Sequence, residues 1–209
     1  MNIDAFILVG GRSTRFGRDK ATVSIEGDTL VERTAKTIRK AIPLARIALV
    51  AASDEQIVTL FGSEEDLPFI FDLYPGRGPF GAVHAALAHT QTEWALVLAC
   101  DLPLVSAGLL RRLASFISDE FDAVVPIQPD REVQPLCAFY RRMSCLFVAE
   151  EPLLAGRSTP PVKAILDQVR TRSIQFDELS DLPGSQNFFL NMNTPDDYEA
   201  VMLAADLRR

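Results

Sequence analysis

Residues 5–20 read AFILVGGRSTRFGRDK. The apolar run from Ala5 to Val9 predicts a buried strand, and it stops at the glycine pair Gly10-Gly11. Arg12, Arg15, Arg18 and Lys20 follow, with Ser13 and Thr14 between the first two. Paired glycines let the backbone take positive φ and approach a ligand with no Cβ in the way. Exposed N–H groups at such a turn form an anion-binding nest, and nearby Arg and Lys add charge. The stretch therefore suits a triphosphate; a solvated basic turn is the other reading of the same residues. It is not a Walker A loop, because Gly17 is followed by Arg18-Asp19 rather than Lys-Ser/Thr. Nor does Gly10-Gly11-Arg12-Ser13 supply the G-x-G-x-x-G of a dinucleotide fold.

Outward from this stretch, strands alternate with helices. Thr29 to Ile42 places Leu30, Val31, Ala35, Ile38 and Ile42 on one helical face. Arg46 to Ala52 is the next strand, with a short helix from about Asp54. Phe69-Ile70-Phe71 is a short third strand ending at Asp72. Gly81 to Thr90 is an alanine-rich helix, and Trp94 to Cys100 is a continuous apolar run of the kind buried on both faces of a parallel sheet. Ser106 is placed to cap a helix that turns Leu109, Leu110, Leu113, Phe116 and Ile117 inward. Ala123 to Ile127 is another strand, completing a βαβαβαβαβ order and predicting an α/β sheet with right-handed crossovers. Val133 to Tyr140 has strand character, with Pro135 assigning it to an edge or a strand start. A helix from Arg141 to Leu154 follows, and Pro160-Pro161 opens another reaching Val169. Thr194-Pro195-Asp196-Asp197 opens the last helix, with Thr194 as cap, proline in the first turn and acids beside it.

The 209 residues are 48% hydrophobic and 23% charged, which suits one domain with a sizeable core. A net charge of −7 disfavours nucleic acid or an anionic membrane as partner, so the basic loop would be a local site. Cys100, Cys137 and Cys145 form no C-x-x-C pair, and an odd count fits reduced thiols in a cytoplasmic protein. The N-terminus lacks the basic region of a signal peptide, and no apolar run approaches the roughly 18 residues of a membrane helix.

Ligands of open α/β sheets bind at the carboxyl ends of strands. That rule selects the glycine loop, Asp72, and Asp101 in the segment Cys100-Asp101-Leu102-Pro103. An aspartate directly after a continuous apolar strand is a costly lone charge unless paired or metal-bound. With a phosphate loop nearby, Mg2+ is the natural partner, held by one or two carboxylates, phosphates and water; a turn or helix cap is the plainer role. Gly76 to Gly81 precedes a helix and suits either an anion or a purely conformational turn. Asn191 and Asn193 suit either a ligand or a local cap. His84 and His89 sit in a helix as ordinary helix residues.

Taken in order, residues 8–20, Gly78-Pro79-Phe80-Gly81, Cys100-Asp101-Leu102-Pro103, Gln134-Pro135-Leu136-Cys137-Ala138-Phe139-Tyr140-Arg141 and Asn191-Met192-Asn193-Thr194-Pro195 resemble the molybdenum cofactor guanylyltransferase (MobA) family of nucleotidyltransferases. The likeness covers nearly the whole chain. The first loop and the Asp101 segment mark the broader superfamily; the Gln134 and Asn193 segments mark this branch. The resemblance implies a single Rossmann-like α/β domain over 1–209, its mostly parallel sheet flanked by helices on both faces. It implies a nucleotide part over about 1–105 and an acceptor part over about 106–209. It further implies transfer of GMP from GTP to molybdopterin with Mg2+. By position, Leu8, Val9, Gly10 and Gly11 would line the nucleotide site and Lys20 would contact GTP. Arg15 would belong to the phosphate loop, Asp72 to the GTP site, and Asp101 would bind the metal. Asn191 and Asn193 would lie toward the pterin. Two positions depart from the pattern: Val9 replaces a commoner alanine, and Ala51 stands where asparagine is frequent, with Ser53 two places on.

The acceptor in such chemistry is a phosphate already ionised at neutral pH, so no general base is demanded. The reaction needs charge neutralisation and in-line placement at the α-phosphorus. Transient contact with other cofactor-biosynthesis proteins or with molybdoenzyme apoproteins is implied in the same way. Three alternatives share these residues: a sister enzyme using CTP, a nucleotidyltransferase for a sugar or alcohol phosphate, and a non-catalytic nucleotide-binding regulator.

Overall fold

Strand β1 (Ile3–Leu8) is buried at every position and lies between two parallel neighbours, β4 (Arg46–Ala51) and β6 (Trp94–Ala99). This is a computed structural model, and it describes residues 2–9, 23–51, 67–156 and 158–206. The loop carrying Gly10, Gly11, Arg15 and Lys20 lies outside the described residues, as do Ser53 and the helix expected from Asp54.

A short hairpin, β2 (Ser24–Ile25) and β3 (Asp28–Thr29), leads into the first helix. Its two turn residues, Glu26 and Gly27, both have positive φ, the primed turn whose twist matches a two-residue hairpin. Helix α1 (Leu30–Ala41) starts there because Thr29 and Glu32 cap one another. The Glu32 N–H donates to Thr29 Oγ1 at 3.2 Å, and the Thr29 N–H donates to Glu32 Oε2 at 2.7 Å.

The remaining elements are β5 (Phe69–Phe71), α2 (Gly78–His89), α3 (Ala107–Ala114), β7 (Ala123–Pro126), β8 (Cys137–Arg141), α4 (Arg142–Leu154), α5 (Lys163–Leu166), β9 (Thr171–Ile174) and α6 (Pro195–Asp206). Seven strands form one sheet in the order β5-β4-β1-β6-β8-β7-β9. It is mostly parallel: among the described strands of this sheet, β8 alone runs against its neighbours, β6 and β7, while β9 is parallel to β7.

Because the sheet is covered on both sides, alternate residues of each strand enter two separate cores. Ala5, Ile7, Leu96 and Leu98 face α1, α3 and α6. Phe6, Leu8, Ala95 and Val97 face α2, α4 and α5. Ser106 caps α3 by accepting from the Leu109 N–H at 3.1 Å. At the amino end of the sheet, buried Asp4 is held by Arg46 at 2.8 and 3.0 Å and by the Gln91 N–H at 2.6 Å.

Three expectations change, and a fourth is narrowed. Helix α2 begins at Gly78 rather than Gly81, because Pro79 falls in the first turn, where its missing N–H has no partner to lose. Phe116 and Ile117 pack against the core from beyond the end of α3. Of the two readings of Pro135, the strand start holds and the edge does not: the strand is central, and Pro135 sits in the turn before Cys137, so no ladder bond is lost. It follows β7 with no helix between them, which breaks the βα alternation. The helix after Pro160-Pro161 is only Lys163–Leu166, and the edge strand β9 follows it.

Candidate active site

The carboxyl ends of β5, β4, β1 and β6 open on one side of the sheet. At the end of β1 the Leu8 carbonyl accepts from the Cys100 N–H at 3.2 Å, and the Val9 N–H donates to the Val50 carbonyl at 3.1 Å. Both residues are buried. These bonds fix the direction in which the chain leaves toward Gly10. Ala51, at the end of β4, is fully buried and offers no polar side chain, so a base or ribose contact from that position is not made by a side chain.

Asp72 follows β5, and its N–H donates to the Ala51 carbonyl at 3.2 Å. Its carboxylate is buried, with Oδ1 accepting from the Tyr74 N–H at 2.9 Å. Gly81 of α2 makes that position available, because a Cβ there would lie 2.6 Å from Oδ2 and 2.8 Å from Oδ1. Burial raises the Asp72 pKa, partly opposed by the Tyr74 N–H and by His84. His84 is itself buried beside the Tyr74 ring, with centroids 5.2 Å apart. Burial holds its imidazole below the ordinary value, against an opposing pull from Glu150 3.9 Å away.

Asp101 follows β6 and is half-buried. Its carbonyl accepts from the Met192 N–H at 3.0 Å, which ties the C-terminal segment to the end of β6. Asn191 and Asn193 flank that tie. Asp197 then organises the start of α6, its Oδ2 accepting from the N–H groups of Asn193 and Thr194, each at 2.8 Å. The Thr194 hydroxyl accepts from the Asp197 N–H at 3.2 Å, as a cap should. So the sheet brings Asp72, Asp101, Asn191 and Asn193 to the same end, on either side of the point where the glycine loop departs.

A cleft of about 600 Å³ opens beside the first turn of α2, between Arg77-Phe80, the turn before β8 and the segment 159–163. Its location follows from the ladder, since the Ala99 N–H donates to the Leu136 carbonyl at 2.8 Å, two residues before Asp101. In the sequence, Gln134-Pro135-Leu136 and Pro160-Pro161 stand apart with nothing to link them. Each looks like an isolated turn, and only the insertion of β8 between β6 and β7 brings them together.

A mostly parallel sheet with a glycine loop after its first long strand and carboxylates beyond β5 and β6 is the plan of a nucleotidyltransferase. The chain belongs to the MobA-like NTP transferase family, whose domain model matches residues 5–170. It is 30% identical over 207 residues to a probable molybdenum cofactor guanylyltransferase of Carboxydothermus hydrogenoformans, covering 99% of this chain and 98% of that one. A protein of the same description from Clostridium perfringens is 31% identical over 201 residues, 95% of each chain. Among solved structures, molybdopterin-guanine dinucleotide biosynthesis protein A of Archaeoglobus fulgidus superposes with a TM-score of 0.75 and 26% identity, over 99% of this chain and all of that one.

Proposed function

We propose that this protein transfers GMP from GTP to the terminal phosphate of molybdopterin, releasing pyrophosphate. The observation that carries the reading is the relationship to guanylyltransferases over nearly the full length of the chain. The arrangement of Asp72 and Asp101 around the exit of the glycine loop supports it.

An acceptor phosphate oxygen attacks the α-phosphorus of GTP, a P–O bond forms, and the bond to the pyrophosphate leaving group breaks. The acceptor is already an anion, so no side chain has to remove a proton. His89 is occupied with the Ala85 carbonyl at 2.9 Å and His84 is buried, so neither is assigned a proton-transfer role. The work left to the protein is alignment and charge compensation. Arg15 and Lys20 are assigned to the phosphates, and Gly10 and Gly11 to close approach of the backbone. Asp72 is assigned to the nucleotide side.

Asp101 is assigned to Mg2+. A half-buried carboxylate whose backbone is pinned by Met192 fits an ion that takes one or two protein carboxylates and completes its shell with phosphate and water. When bound, the ion supplies positive charge to the phosphate oxygens. Three buried cysteines outside any disulfide accord with a cytoplasmic setting. No helix among the described residues is long and apolar enough to cross a membrane.

Thermal unfolding with GTP, CTP, ATP and UTP, each with and without Mg2+, tests the nucleotide half of the reading. At about 100 times its dissociation constant a ligand adds roughly 2.7 kcal/mol, or about 5–10 °C in Tm for a chain of this size. A Mg2+-dependent shift selective for GTP is expected. A shift selective for CTP would refute guanylyl specificity, and no shift with any nucleotide at millimolar concentration would refute the site.

A further inference from the structure

We propose that the cleft beside α2 seats the fused-ring end of the acceptor, with Gln134 and Glu132 reading the lactam–amine edge of its pyrimidine ring. The inference rests on the transfer reaction above and extends it to the recognition of the second substrate. At about 600 Å³ the cleft lies within the range of small-molecule sites. Its walls are stiff and apolar: Pro79 and Phe80 on one side, Pro160, Pro161 and Val162 on the other, with Leu136 also lining it. Phe80 and Val162 are buried, so these walls are fixed before a ligand arrives. Two stiff apolar sides suit a flat ring system.

The polar edge decides which ring. Gln134 is 8% exposed and lines the cleft. Its Oε1 accepts from the Leu136 N–H at 3.3 Å, which orients the amide and leaves Nε2 open to the cleft. A donor open to the cleft, on an amide already oriented through its oxygen, is placed to meet an acceptor from a ligand. Glu132, on the same β7–β8 turn, is exposed and brings a carboxylate to the cleft. Together they present one donor and a bidentate acceptor. A 2-amino-4-oxo pyrimidine edge presents the complement: a ring carbonyl for Gln134, and an N–H with an adjacent amine for Glu132.

Pterin and guanine both carry that edge, and position separates them. The nucleotide elements lie on the β1 and β5 side of α2. This cleft is walled by 132–136 and 159–163, from the half of the chain beyond β6. Arg77, whose Nη1 donates to Thr159 Oγ1 at 3.3 Å, and Lys163 put positive charge on the lining, as an acceptor bearing a phosphate requires.

The test uses Glu132→Ala and Gln134→Leu in the full chain, with far-UV circular dichroism and Tm to establish folding. Glu132 is exposed, so its variant keeps the test alive if Gln134→Leu fails to fold. With GTP and Mg2+ saturating and molybdopterin varied, each variant should raise the acceptor KM about ten- to a hundredfold, the size of a lost hydrogen bond to a charged or buried group. GTP affinity by calorimetry should stay within about twofold. Unchanged acceptor KM, or GTP affinity falling in parallel, overturns the inference, the latter placing guanine in the cleft. If the wild-type protein forms no dinucleotide, the transfer reading fails, and a fluorescence titration with 6-hydroxymethylpterin monophosphate still decides the cleft. Binding by wild type that is lost in Glu132→Ala supports it, and no binding by wild type refutes it.

Discussion

Gly81→Ala is the smallest change that probes how the nucleotide side is built. The added Cβ would sit 2.6 and 2.8 Å from the two Asp72 carboxylate oxygens and 3.0 Å from Arg77 Cβ. Neither carboxylate oxygen belongs to a long flexible chain. Asp72 is buried and held by the Tyr74 N–H, so α2 or the β5–α2 connection must give way. Over-packing of this kind costs about 1–3 kcal/mol. Alanine in a helix returns about 0.5–1 kcal/mol relative to glycine. Gly81→Ala should therefore destabilise by up to about 2.5 kcal/mol and weaken GTP binding by displacing Asp72. In an Asp72→Ala background both short oxygen contacts vanish, and the same substitution should become neutral or slightly stabilising. The predicted coupling in the double-mutant cycle is about 1–3 kcal/mol. Urea unfolding of the four proteins measures it. A Gly81→Ala penalty that is the same with and without the Asp72 carboxylate would refute the reasoning.

Asp72→Asn should raise stability at pH 7. Its folded pKa is raised, so the ionised form carries a burial penalty at neutral pH that disappears below the ordinary value of 3.8. Tm against pH should show the gain closing in acid, while GTP affinity falls; a variant less stable at pH 7 contradicts this. Asp122→Asn should do the reverse. Bonds from Arg170 at 2.7 and 3.0 Å lower the Asp122 carboxyl from 3.8 to about 2, so its stabilisation is full above pH 4 and lost as pH falls through about 2. Linkage puts the effect at about 2 kcal/mol, an upper figure because the Arg170 side chain is 60% exposed. Urea midpoints at pH 7 and pH 3 check it, and an equal deficit at both would contradict the pairing. Asp101→Ala should lower turnover by at least about a hundredfold with the fold retained, since the tie to Met192 runs through the main-chain carbonyl. Single-turnover kinetics near the wild-type rate would remove Asp101 from the site.

The sheet centre was legible because burial on both faces leaves an unambiguous mark: Trp94–Ala99 is apolar at every position and became β6. Caps were legible because their chemistry is local, as Ser106 and Thr194 show. What failed to read was tertiary. Pro135 looks the same in sequence whether the strand after it is at an edge or in the middle. Thr171–Ile174 is a half-exposed edge strand with two polar residues and an arginine, so it carries no period-two apolar signal. Asp72 and Asp101 could be chosen in advance because strand ends in a parallel sheet converge on one face. The cleft could not, because residues 77–80, 132–136 and 159–163 each satisfy turn chemistry on their own terms. The orientation of the Gln134 amide at the cleft is a fact of packing, and the sequence of that turn gives no hint of it.

The most direct measurement mixes the purified protein with molybdopterin, Mg2+ and either GTP or CTP, then quantifies dinucleotide product and pyrophosphate. The account predicts one pyrophosphate per molybdopterin guanine dinucleotide formed, with GTP preferred over CTP by a factor of about 100 or more. Product from CTP at a comparable rate, or no product from GTP with a folded, nucleotide-bound protein, would contradict it.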